Sequence, residues 1–134
     1  MSTNYQPQVA QVLVNATNSS TSPAIGSTFQ LFTGAGFANG SVVTAITVKA
    51  LGATGAGMIR IFTNQNAGGT ANLLYEVPVP ATNYGTAPDY SPTWGITIPC
   101  NIPLTTTGFV YITAQDVTSN FVVTANAYSI EGWS

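Results

Sequence analysis

The chain has 134 residues and six charged side chains: Lys49, Arg60, Glu76, Asp89, Asp116 and Glu131, with no histidine and a net charge of −2. Charged residues make up 4 % of the sequence, against about 25 % in a typical soluble domain, which leaves almost nothing to tune as a general acid or base. Two distant cations cannot displace counterions from a phosphate backbone, so nucleic acid is not an expected partner; a 45 % apolar content argues against disorder, and the length fits one domain that buries about two-thirds of its unfolded surface.

Residues 1–8 are polar, carry Tyr5 and Pro7, and read as an N-terminal arm, with the folded domain spanning 9–134. The arm lacks the basic and apolar regions of a secretory signal, and no apolar run approaches the roughly 20 residues of a membrane span. The expectation is synthesis in a cytoplasm and no membrane partner. The sequons at Asn15, Asn18 and Asn39 are what chance supplies in a chain rich in Asn, Ser and Thr.

Val9 to Val14 is the first apolar stretch, followed by a polar loop from Asn15 to Ser22 that ends at Pro23. Thr28 to Thr33 reads as a strand with Phe29, Leu31 and Thr33 on one face, and Gly34, Gly36 and Asn39-Gly40 punctuate the next connection. From Val42 to Leu51 strict alternation puts Val42, Thr44, Ile46, Val48 and Ala50 on one face and Lys49 on the other. After a glycine-bearing loop, Met58 to Thr63 sets Ile59 and Ile61 against Arg60 and Phe62. Gly68-Gly69 marks a hairpin-type connection into Leu73 to Val79, which aligns Leu73, Tyr75, Val77 and Val79. Pro78 and Pro80 cannot donate to a ladder, so that strand is expected at an edge.

Residues 80–93 form the longest irregular stretch. Trp94, Ile96 and Ile98 then alternate, and Pro99 and Pro103 are read as bracketing a turn. Phe109 to Ala114 is apolar on both faces, as a central strand must be, and Phe121 to Ile130 closes the sequence with Phe121, Val123, Ala125 and Ala127 on one face. With 13 glycines, 8 prolines and no helical period, the pattern predicts an all-β, single-domain antiparallel β-sandwich of about eight strands, jelly-roll-like. A seven-stranded immunoglobulin-like sandwich without the paired cysteines is the alternative.

The inventory of chemistry is short. Ser-His-Asp and Cys-His catalysis have no histidine to act as base. Cys100 is a lone cysteine, without partners for zinc, and reads as a small buried hydrophobe. Two of the four carboxylates could in principle face each other as in a glycosidase, but Asp89 and Asp116 sit in turn-like contexts where a short acid bonds nearby amides. Oxygen ligands around Asp89 and Asn83, or Asp116 and Asn120, lack the spacing of a known calcium loop. Gly34-Ala35-Gly36 precedes a strand rather than a helix, which removes the phosphate-loop reading. No catalytic residue, cofactor or metal is expected, and the chain reads as a non-enzyme.

Aromatic side chains remain. Trp94 is expected to cap the core. Tyr84, Tyr90 and Trp133, with Tyr5 and Pro7 of the arm, are the candidate partner contacts, because exposed aromatics anchor proteins or stack on sugars.

Ile59-Arg60-Ile61-Phe62, Asn72 to Val79, Pro92-Thr93-Trp94, Ile102-Pro103-Leu104, Val110 to Gln115 and Asn120 to Ala125 together resemble a family of small tailed-phage virion proteins, over roughly residues 42 to 130. The resemblance implies a β-sandwich that decorates or cements a capsid: a homo-oligomer, taken as a trimer, bound to the major capsid protein in the virion. It transfers no active-site residues. A carbohydrate-binding module of a fibre or tail tip, with Tyr84, Tyr90 and Trp94 as its platform, is the alternative.

Overall fold

The computed structural model describes residues 5–14, 29–34, 40–65, 71–82, 92–115 and 119–130. They form eight strands and no helix: β1 (Tyr5–Val14), β2 (Phe29–Thr33), β3 (Ser41–Ala50), β4 (Gly57–Asn64), β5 (Asn72–Val79), β6 (Gly95–Leu104), β7 (Phe109–Gln115) and β8 (Phe121–Ile130). One sheet has the order β1-β8-β3-β6 and the other β2-β7-β4-β5, and every pairing is antiparallel.

The order has a simple logic. β4 pairs with β5, β3 with β6, β2 with β7 and β1 with β8, so the strands nest outward from the β4–β5 hairpin. Wrapping that nested hairpin into two layers gives a jelly roll. The immunoglobulin-like alternative is overturned by β1 and β2, which would be sheet neighbours there and lie in opposite sheets here.

The core lies between the layers. Ile46, Val48, Phe121, Val123 and Ala125 from the first sheet face Ile59, Ile61, Val110, Ile112 and Ala114 from the second, all buried. Each large aliphatic among them contributes about 1.5–3 kcal/mol by leaving water. Trp94 does cap this core. Its ring meets Phe121 edge-on, with centroids 6.2 Å apart and planes at 83°, and its carbonyl accepts the Ala50 N–H at 2.8 Å.

Expected strand faces differ from the observed ones at three β-bulges. One lies between Val43 and Ala45, so Val43 joins the core and Thr44 is exposed. A second lies between Gln30 and Phe32; Phe32 is buried in the core while Thr33 aligns with Phe109 on the outer side. A third, on β5, aligns Leu73 with Phe62 rather than with the inward Tyr75. An extra residue inverts the alternation of everything on one side of it. The turn expected between Pro99 and Pro103 is also corrected, because β6 continues as one strand through both, with a register shift against β3 between Pro99 and Ile102. It is an edge strand, where a missing N–H costs no ladder bond.

β1 begins at Tyr5 rather than Val9, and Tyr5 to Gln8, assigned above to an arm, pair with β8. The loop readings over 15–22, 35–39, 66–70 and 83–91 lie outside the described residues.

One end of the sandwich is closed by close backbone approaches. Gly34 N donates to the Gly108 carbonyl at 2.9 Å. Gln65 binds the β6–β7 connection from the end of β4: its Nε2 donates to the Pro103 carbonyl at 2.7 Å, and its Oε1 accepts the Thr105 N–H at 2.9 Å.

Candidate contact surface

The outer face of the first sheet is built mostly from neutral side chains. Gln11, Thr124, Thr47 and Thr97 align in one row across all four strands. Gln11 Nε2 donates to Thr124 Oγ1 at 3.1 Å, and the Thr47 and Thr97 hydroxyls bond at 3.2 Å. The adjacent rows are Leu13, Val122, Lys49 and Gly95 on one side, and Val9, Asn126, Ala45 and Pro99 on the other. Lys49 is the charged residue of this face among those described, and its Nζ donates to the Thr93 carbonyl at 2.6 Å. Two aliphatics stand out at the β1 margin: Val9 is 67 % and Leu13 49 % exposed.

The outer face of the second sheet is different. Arg60 sits between Thr113 and Glu76 in the ladder. Its Nε donates to Glu76 at 3.2 Å and its Nη1 to Gln115 Oε1 at 2.7 Å. Phe109 and Tyr111 stack with centroids 5.9 Å apart. Phe62, on the same side of β4 as Arg60, has no exposed surface. Arg60 and Glu76 are thus held in a brace across β4, β5 and β7.

Four strands border their sheets with no further strand beside them among the described residues: β1, β2, β5 and β6, of which β2 is only five residues long and bulged between Gln30 and Phe32. β5 carries Glu76, Pro78 and a bulge, and β6 carries Pro99 and Pro103, the usual devices that stop an edge from pairing. From Gln8 to Val14, β1 has no proline, no charge and an unbroken register. Beneath it a groove of about 360 Å³ separates β1 from β2, lined by residues such as Ala10, Val12, Leu31 and Phe32.

Among the candidate contacts from sequence, Tyr5 and Pro7 lie on β1, opposite Ile130 and Tyr128, and Pro7 is exposed. Tyr84, Tyr90 and Trp133 lie outside the described residues, as do Asp89, Asp116 and Glu131. The sequence reading passed over Val9, Gln11 and Leu13, whose polar and apolar alternation without a charge was the available signal. Among the described residues no three of His, Cys, Asp and Glu come together.

Cys100 is half-buried against the core, with its thiol donating to the Val43 carbonyl at 3.5 Å. Burial pushes its pKa up. A raised thiol pKa stabilises the folded state below the ordinary thiol range and loses that contribution as pH rises through the folded value. Folded protein is therefore expected to alkylate at Cys100 more slowly than unfolded protein at pH 8. The stability lost between pH 8 and 10 should shrink in Cys100→Ala. Equal alkylation rates in the folded and urea-unfolded chain would contradict this.

Compared with models of known protein families and with curated proteins, the chain matches none.

Proposed function

We propose that this chain is a non-enzymatic structural protein of a phage virion that works by protein–protein contact, decorating or cementing the head by binding the major capsid protein. The observation that carries the reading is the first sheet's outer face, a broad surface rich in threonine with Lys49 as the one charge among its described residues, ending at an unguarded strand. Such a face suits lattice docking, where hydroxyls and backbone edges supply hydrogen bonds without the cost of desolvating charges. The jelly roll adds support by analogy, since capsid and lectin domains use it. The resemblance of strands β4, β5, β7 and β8 to small virion proteins points the same way.

Particles assembled without this subunit are expected to lose integrity at a lower temperature than complete particles, and adding the purified protein back should restore the difference. Identical thermal midpoints with and without it would reject a cementing role.

A further inference from the structure

The unguarded edge and the placement of its exposed side chains point to a specific partner. We infer that β1 pairs antiparallel with β1 of a second copy of this chain, about a two-fold axis at Gln11, joining two first sheets into one.

The argument starts from the edge itself. A strand border with no proline, charge or bulge is a template for another strand; β5 and β6 carry prolines, β2 is a bulged strand of five residues, and among the described border strands only β1 from Gln8 to Val14 fits that description. The partner follows from symmetry. An isologous contact requires one patch to complement itself. Val9 and Leu13 are both exposed, lie on the outer face with Gln11, and stand two positions to either side of it. Antiparallel pairing centred on Gln11 sets Val9 of each copy against Leu13 of the other, so both exposed aliphatics gain an apolar cross-strand neighbour. Gln11 meets Gln11. One hydrogen of its amide already goes to Thr124, which leaves the second hydrogen and the carbonyl oxygen for reciprocal bonds.

The opposite face of the strand agrees. Ala10 and Val12 point inward against the core. In the same register Ala10 of one copy opposes Val12 of the other, and the added strand lays these small apolar side chains along the groove between β1 and β2. No described residue of β1 is charged, so the two copies bring no like charges together. A two-fold contact closes on two copies, unlike the trimer implied by the sequence resemblance.

The test needs only the purified full chain, so its failure and that of the capsid role are separate results. Sedimentation velocity at about 100 µM, high enough to populate an interface of this small size, is expected to show a dimer. V9K/L13K sets lysine against lysine twice and should weaken dimerisation by at least about tenfold. V9K/L13E pairs lysine with glutamate across the axis and should recover it. In a Cys100→Ala background, Q11C should form a disulfide-linked dimer under mild oxidation, and V9C, whose partner position is Leu13, should cross-link far less. A monomer or a trimer at that concentration would overturn the inference. So would equal association of V9K/L13K and wild type, or cross-linking of V9C as efficient as that of Q11C. Circular dichroism of V9K/L13K matching wild type would show that the substitutions act on association rather than on folding, and a V9K/L13E chain as monomeric as V9K/L13K would reject the register.

Discussion

Phe121→Ala is expected to lower the unfolding free energy by about 3–5 kcal/mol, read as a fall in the urea midpoint with an unchanged slope. Phe121 is 1 % exposed and opens β8, the strand that lies between β1 and β3. It aligns with Val14 on one side and Ala50 on the other, and its ring is buried in the core between the sheets. Removing it leaves a cavity that these strands cannot close without breaking register. The edge-on contact with Trp94 is lost as well, worth about 0.5–1.5 kcal/mol beyond burial. Domains of this kind hold about 5–15 kcal/mol in total, so one substitution removes a large share. Phe121→Leu, which refills most of the volume, should cost much less. A loss below about 1 kcal/mol for alanine would mean that Trp94 swings into the gap and that the core is less fixed than described.

Gly40→Ala is expected to be comparably damaging for a different reason. Gly40 has φ of +83°, a conformation that costs a residue with a Cβ about 1–2 kcal/mol. A Cβ at this position would also collide with the Leu104 carbonyl oxygen, part of the backbone of β6 and unable to swing aside. The two penalties together should exceed about 3 kcal/mol. Gly95→Ala is the informative comparison. There the nearest atom is Lys49 Cδ at 2.9 Å, the middle of a flexible side chain. A smaller loss in chemical denaturation for Gly95→Ala than for Gly40→Ala is the expected ranking, and the reverse order would contradict this account.

Much of the fold is legible in the sequence because alternation reports which face a strand buries. Ile59 and Ile61 in β4, the doubly apolar β7 and the inward series of Phe121, Val123, Ala125 and Ala127 in β8 all follow from period two. Pro78 marks β5 as an edge, as found. What alternation cannot carry is a bulge. Val43 and Phe32 enter the core because one extra residue precedes or follows them, and that residue looks like any other in sequence. Pro99 and Pro103 misled for a related reason: proline excludes a central strand but says nothing against a border one. The candidate surface was less legible. A contact face has no signature residue, and the row of Gln11, Thr124, Thr47 and Thr97 is assembled from four separate strands by pairing alone.

The nesting of the strands also sets an order of events at the ribosome. β4 and β5 pair across a short connection, but β1 must wait for β8, the last of the eight strands to be made, which lies between it and β3. Until then Ile46 and Val48 have half of their sheet missing. A nascent chain of this kind cannot complete its fold domain-first as it emerges; it collapses late and as a unit, through distant pairings that make β-rich proteins slow. Holding such a chain clear of its siblings during that interval is work for a chaperone, and crowded polysomes are where it would first be caught aggregating.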